Sequence, residues 1–379
     1  MPETQDLIEP SQRFALMRAC TRRLSGERPP TMREQLDHLA RAPIDLDAVG
    51  DRYGDGPVAL LEERVAALLG KPSAVFFPTG VMAQQVALRI WAERQHNATV
   101  ALHPRSHPEE HERYAYSTLS GLRAIWSTTA ARQPTAEEIR ALDEPFGTLM
   151  LELPLRELGF LLPTWGELVA VTDAARRRGA RVHIDGARLW ESTPYLGQDL
   201  AAVSALADTV YVSFYKLLGG LHGAALAGDA DVMAQARAWR QRYGGNLFQQ
   251  WPAAALALAG LETVLPQIPS YVEHARVVAA ALAQIPGARI HPDPPHTNEF
   301  QLWLPYPAQR LTAATLALAQ REGSWFAYGW SDRPPTGYAV AEIRVSSGAA
   351  ELTADDVQAM AASLLALVEE SYSGVESFG

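Results

Sequence analysis

The 379-residue sequence holds a single cysteine, Cys20. One cysteine cannot build an internal disulfide framework, and such usage fits a reducing compartment, so a cytoplasmic chain is expected. Cys20 reads as a small residue buried in the N-terminal segment, since no histidine partner marks it as a nucleophile. No apolar run approaches the roughly 20 residues that a membrane-spanning helix needs, so no membrane partner is expected. The opening residues Met1–Asp6 are polar and acidic, the reverse of a signal peptide. Long basic runs are also missing. The net charge is −10 with both signs interspersed, which argues against nucleic acid as the main partner. No internal repeat is found.

What is there is globular. The chain is 47% hydrophobic and 20% charged, enough for a large core in two or three lobes. After the short apolar run Val75–Phe77 and a helical pattern, short β-like runs alternate with helical ones from Thr99 on. Val75–Phe77, Thr99–Leu102, Thr148–Leu153, Arg181–Asp185, Asp208–Phe214 and Gly223–Ala227 read as strands. Thr135-Ala-Glu-Glu138 and Thr164-Trp-Gly-Glu167 are capping boxes that open helices. Alternation of this kind predicts βαβ units on a mostly parallel sheet. After Pro266-Gln-Ile-Pro269 the texture changes, with long helical segments flanking strands near Thr297–Leu304 and Tyr338–Ser346. The expected organisation is α/β: an N-terminal segment (1–50), a large domain (51–265) and a smaller C-terminal α/β domain (266–379).

The chemistry concentrates in two runs, His183-Ile-Asp-Gly-Ala-Arg188 and Ser213-Phe-Tyr-Lys-Leu-Leu-Gly-Gly220. A strand-end Asp185 precedes, by 31 residues, Lys216 on a glycine-rich loop. Pyridoxal phosphate (PLP) chemistry needs this pair. A lysine amine forms a Schiff base with the cofactor aldehyde, and a carboxylate keeps the pyridine nitrogen protonated. Either residue alone has a plainer reading: a loop lysine is ordinarily exposed, and Asp185 has Arg188 nearby for a salt bridge. Pro78-Thr79-Gly80-Val81 ends a strand and starts a helix, so its backbone N–H groups and one hydroxyl suit a phosphate. Read by itself it is a capped turn. Ligands on parallel sheets sit beyond the carboxyl ends of the strands, so Thr79, Gly80, Asp185 and Lys216 are expected to face one crevice. Ser213 is a further candidate cofactor contact.

His103, His107 and His111 recur every four residues, and His107-Pro-Glu-Glu-His111 matches the H-x-x-E-H zinc-peptidase pattern. That reading requires a continuous helix, against which Pro104 and Pro108 argue. No metal is expected. An imidazole lying over a cofactor ring is the better functional reading of His107, and a satisfied structural histidine the bland one. Arg344, within a strand of the small domain, suits bidentate binding of a carboxylate, or is a surface-strand arginine.

Taken together, these residues resemble the threonine aldolase / β-eliminating lyase family of fold-type I PLP-dependent enzymes. Pro30-Thr-Met-Arg-Glu34, Leu61-Glu-Glu-Arg-Val-Ala66, Phe77-Pro-Thr-Gly-Val-Met-Ala-Gln-Gln85, Ser106-His107 with Leu119-Ser-Gly121, the His183–Arg188 run and Lys216 carry the likeness. The resemblance implies that Lys216 is the Schiff-base lysine, Asp185 the partner of the pyridine nitrogen, His107 the ring-stacking histidine, and Arg188 and Arg344 the ligands of a substrate carboxylate. Glu112 falls on a family glutamate. The departures concern the reaction. Where typical aldolases have Leu-Glu-x-Thr-His, this chain reads Leu151-Glu-Leu-Pro-Leu155, with Leu155 in place of the histidine. Tyr215 replaces the serine usual before the lysine, Phe248 replaces an arginine, and the N-terminal serine motif has no clear equivalent.

The resemblance implies a homodimer or homotetramer that cleaves the Cα–Cβ bond of a β-hydroxy-α-amino acid to glycine and an aldehyde. β-Elimination is the alternative reaction, and a non-catalytic PLP-fold protein the alternative class. With Leu155 unable to act as a base, weak cleavage of threonine is expected, and better cleavage of a bulkier substrate whose side chain fills apolar space at Leu155.

Overall fold

The computed structural model describes residues 8–333 and 337–376. The polar stretch Met1–Asp6 lies outside the described residues. The chain forms two compact units, one spanning Leu36–Gln267 and one made of the residues through Gln35 together with those from Ile268 onward.

The first unit is built on seven strands: β1 (Ser73–Phe77), β2 (Thr99–Leu102), β3 (Arg123–Trp126), β4 (Thr148–Glu152), β5 (Arg181–Gly186), β6 (Thr209–Ser213) and β7 (Ala224–Gly228). Their order in the sheet is β1-β7-β6-β5-β4-β2-β3. All neighbours are parallel except those of β7, which is antiparallel to both β1 and β6. The sheet is thus mostly parallel, as the alternation of runs predicts. Every residue of β2, β4, β6 and β7 is buried. Strands covered on both faces need this near-continuous apolar character, and each fully buried Val, Leu or Ile contributes about 1.5–3 kcal/mol. The two capping boxes form as expected. Thr135 caps the helix Ala136–Ala141, and Thr164 caps Trp165–Arg177.

The second unit carries four antiparallel strands, β8 (Arg289–His291), β9 (Glu299–Leu304), β10 (Ser331–Asp332) and β11 (Ala339–Arg344), in the order β10-β11-β9-β8. Leu282, Leu302, Leu311, Ile343 and Leu364 anchor its core. The expected separate segment 1–50 is not one piece. Arg22–Arg23 pairs in parallel with Ser324–Trp325, the Leu24 N–H donates to the Trp325 carbonyl at 2.8 Å, and Leu24 is buried in this unit's core. Strand pairing and burial therefore draw residues 8–35 to the C-terminal part of the chain. Leu265–Gln267 is a 3-10 turn leading into the helix Ile268–Leu282.

Candidate active site

Parallel strands end at one edge of their sheet, and β1, β2, β4, β5 and β6 all deliver functional side chains there. The chain leaves β1 through Pro78-Thr79 into the 16-residue helix α1 (Gly80–Gln95). Thr79 caps it, its hydroxyl accepting from the Met82 N–H at 3.3 Å. Gly80 is required by packing, since a Cβ there would lie 2.1 Å from the Tyr211 hydroxyl. The loop after β2 carries His107, the end of β4 carries Glu152, the end of β5 carries Asp185, and the loop after β6 carries Lys216.

Thr79, Gly80, Val81, His107, Asp185 and Lys216 line one cavity of about 270 Å³, together with Gln84, Glu112, Tyr211 and Tyr215. A smaller adjoining cavity shares His107, Asp185 and Lys216 and adds Glu152 and Arg188. Asp185 is only 2% exposed. Its Oδ2 accepts from the Gln84 side-chain amide and its Oδ1 from the Ala187 N–H at 3.0 Å. Burial pushes its carboxyl above the usual range, while the charges of Lys216 and His107 pull it back. Burial, reinforced by Arg188, pulls the Lys216 amine down to about 8 against the opposing charges of Asp185 and Glu152. His107 Nδ1 lies 2.9 Å from Glu112 Oε1. Burial alone would lower its pKa, but Glu112 and Asp185 hold it above the ordinary value. Glu152, pushed up to about 7 by burial and by Asp185, accepts the His107 N–H at 2.7 Å and the Arg156 N–H at 3.2 Å.

Not every expected site residue lines the main cavity. Ser213 lines neither of these cavities. It is buried, and its hydroxyl donates to the Ala187 carbonyl at 2.9 Å, bracing the turn after Asp185. Arg188, which lines the smaller cavity, packs over the Phe160 ring, 5.4 Å from its centroid, and approaches Glu191 at 3.8 Å. Arg344 belongs to the second unit, where it pairs with the buried Glu299, and its backbone N–H donates to the Ser25 hydroxyl at 2.9 Å. Leu155 is wholly buried in a bridge with Leu161 and lines neither cavity. The expected apolar space for a bulky substrate is therefore not found at Leu155: its side chain is already enclosed by protein.

The helix needed for an H-x-x-E-H zinc site is a single turn, His107–Glu110. The histidines take separate carboxylates, His107 on Glu112 and His111 on Glu157 at 2.9 Å. His103 is held between the Ala130 carbonyl and the Arg105 N–H, a structural role. No group of three His, Cys, Asp or Glu side chains among the described residues is arranged to hold a metal.

A depressed amine, a buried carboxylate and the first-turn amides of a helix meet in one cavity. This donor set fits the aldehyde, ring nitrogen and phosphate of PLP. Lysine usage agrees with the fit. The chain contains only two lysines, Lys71 and Lys216, among 33 basic residues. Lys71 precedes β1 at the opposite edge of the sheet, where its ammonium donates to the Ala207 carbonyl at 2.6 Å. A chain that builds its cationic surface from arginine leaves little room for the reading of Lys216 as a generic surface residue.

The family model described as β-eliminating lyase matches residues 30–304. The chain belongs to the β-eliminating lyase family. It is accordingly an enzyme, and its cofactor is PLP. A solved structure from Exiguobacterium sp. 255-15, provisionally named an aromatic amino acid β-eliminating lyase/threonine aldolase, is 36% identical with a TM-score of 0.87, covering 94% of this chain and 99% of that one. A second, from Listeria monocytogenes EGD-E and provisionally named an L-allo-threonine aldolase, is 33% identical with a TM-score of 0.88 over the same shares. Low-specificity L-threonine aldolase 1 of Arabidopsis thaliana is 26% identical over 284 residues, 72% of this chain and 78% of its own. No helix among the described residues is long and apolar enough to cross a membrane.

Proposed function

We propose that this family member cleaves the Cα–Cβ bond of a β-hydroxy-α-amino acid, releasing glycine and an aldehyde. The observation that carries the reading is the convergence of Lys216, Asp185 and His107 on the cavity at the start of α1. The naming of its relatives as threonine aldolases supports it.

Bound PLP supplies an electron sink at Cα. The Thr79 hydroxyl and the Gly80 and Val81 amides would hold its phosphate, Asp185 would keep its ring nitrogen protonated, His107 would stack on the ring, and Lys216 would bond the aldehyde. In the reaction the Cα–Cβ bond breaks with its electron pair left on Cα, the β-hydroxyl proton leaves as the aldehyde forms, and Cα gains a proton. Lys216, with its amine near a pKa of 8, carries that last proton. Since Leu155 is enclosed and not basic, His107 or a water it holds takes the hydroxyl proton. Arg188 and Arg344 are the candidate ligands of the substrate carboxylate, Arg344 by its place in the motif alone.

The proposed assembly is a homodimer or homotetramer. Val81, Tyr215 and Leu221 line the cofactor cavity yet are 37–46% exposed, apolar surface that a second copy would cover. A cytoplasmic location is the proposal that the single cysteine supports. The reaction is tested by assaying glycine and aldehyde from a panel of β-hydroxy-amino acids with the unmutated enzyme and with His107→Phe, which keeps an aromatic ring and removes the base. Positioned acid–base catalysis contributes about 10²–10⁴-fold, so the variant should lose at least a hundredfold. Ammonia and a keto acid without glycine would move the assignment to β-elimination.

A further inference from the structure

Behind Asp185 runs a chain of buried side chains, of which Gln84 also lines the main cavity. Trp91 Nε1 lies 2.9 Å from Thr209 Oγ1, which lies 2.9 Å from His183 Nδ1. His183 Nε2 contacts the Gln84 side-chain oxygen, and the Gln84 amide nitrogen reaches Asp185 Oδ2. Gln84, His183, Asp185 and Thr209 are each at most 2% exposed. His183 and Asp185 are two apart on β5 and so share a face of the sheet, and Gln84 sits one helical turn beyond Gly80.

The direction of these hydrogen bonds can be worked out. An indole nitrogen only donates, so the Thr209 oxygen accepts from Trp91. Its hydroxyl proton has one acceptor among the described residues, His183 Nδ1. Burial draws His183 down to about 4, so the ring is neutral and carries one proton. With Nδ1 accepting, that proton is on Nε2, which donates to the Gln84 carbonyl. The Gln84 amide must then turn its N–H toward Asp185. In the reverse direction the Thr209 hydroxyl would accept twice and its own proton would have no partner, at a cost of about 1–3 kcal/mol for a buried polar group.

We infer that Gln84, His183, Thr209 and Trp91 form a one-way hydrogen-bond chain that fixes Asp185 as an acceptor and so keeps it ionised against the cofactor ring nitrogen. They are positioning residues. His183, Thr209 and Trp91 act on the ring only through Gln84 and Asp185, and the inference rests on the reading of Asp185 as the partner of that nitrogen. Burial raises the Asp185 pKa, and the fixed amide donor opposes that.

The test uses the enzyme loaded with PLP carrying ¹⁵N in the ring, whose chemical shift reports whether that nitrogen is protonated. The unmutated enzyme should show the protonated signature. Gln84→Leu and Thr209→Val should shift it toward the unprotonated form and lower kcat by about ten- to a hundredfold, the range of one hydrogen bond to a charged group, with KM changing far less. Thr209→Ser, which keeps the hydroxyl, should restore the signature. In the cofactor-free protein, histidine ¹⁵N spectra should place the His183 proton on Nε2. A His183 proton on Nδ1 would overturn the chain. So would an unshifted ring signal in both Gln84→Leu and Thr209→Val when Asp185→Asn abolishes it. A protonated ring in Asp185→Asn would instead overturn the assignment of Asp185 itself.

Discussion

Two carboxylates sit side by side at the end of the sheet and do different work. Glu152 and Asp185 are paired in register on adjacent parallel strands, both are buried, and both line the smaller cavity. Burial raises both pKa values. Their partners differ. Glu152 spends its two oxygens on two backbone N–H groups, those of His107 and Arg156. Asp185 takes one backbone N–H and one side-chain amide, and it faces the Lys216 amine. Glu152 thus shapes the loops that present His107, whereas Asp185 is held ready for a cation. The strand register made the two neighbours; the hydrogen-bond donors made them different.

Removing each charge in turn should break this comparison most sharply at Asp185. An Asn there keeps the size and one acceptor but leaves the buried cationic partner unmatched, a loss of about 3–5 kcal/mol. Asp185→Asn should retain bound cofactor and lose roughly two to three orders of magnitude in kcat. Turnover within fivefold of the unmutated enzyme would show that the two carboxylates are equivalent scaffolding.

Glu152→Gln should do the opposite, costing stability before chemistry. Gln offers one oxygen to two N–H groups, so one buried donor goes unmet at about 1–3 kcal/mol. The pH dependence sharpens the contrast. Glu152 binds its proton more tightly folded than unfolded, so as pH rises from about 4.5 to 7 its ionisation progressively costs stability. Denaturant unfolding of Glu152→Gln should therefore show a flatter decline over that window, with kcat changed less than tenfold. An unaltered pH–stability curve would remove the raised Glu152 from the account. The smallest effect on activity is expected from Leu155→His. This change restores the residue usual in the family, but the position lines neither cavity, so threonine cleavage should stay within about threefold. The protein should lose about 1–3 kcal/mol from burying an imidazole. A gain of tenfold or more in threonine cleavage would show that Leu155 does reach the substrate.

Much of this was legible in the sequence, and what was not has identifiable causes. The strand runs and both capping boxes are local patterns, and they are found where the pattern puts them. The cavity residues Thr79, Gly80, Val81, Asp185 and Lys216 follow strand ends, so their meeting at one edge follows from parallel topology. A residue beside a lysine motif can turn to either face, and the Ser213 hydroxyl donates to the Ala187 carbonyl, a partner that local pattern does not specify. The N-terminal segment misled because its pairing partner, Ser324–Trp325, lies some 300 residues away, beyond the reach of local pattern. Gln84 and His183 stand inside the motifs, but nothing local to either assigns it a role. The period-two spacing of His183 and Asp185 was the signal that would have joined them, and the scarcity of lysine was the one that would have singled out Lys216.

The central claim is that Lys216 is the residue that bonds the cofactor. It is tested by adding PLP to the purified enzyme across a pH series, reducing with borohydride and mapping the labelled peptide. With only two lysines in the chain, Lys71 serves as the internal control. Label is expected on Lys216 alone, its rate of capture rising through about pH 8 as the amine loses its proton. Label on Lys71, or none on Lys216, would contradict it.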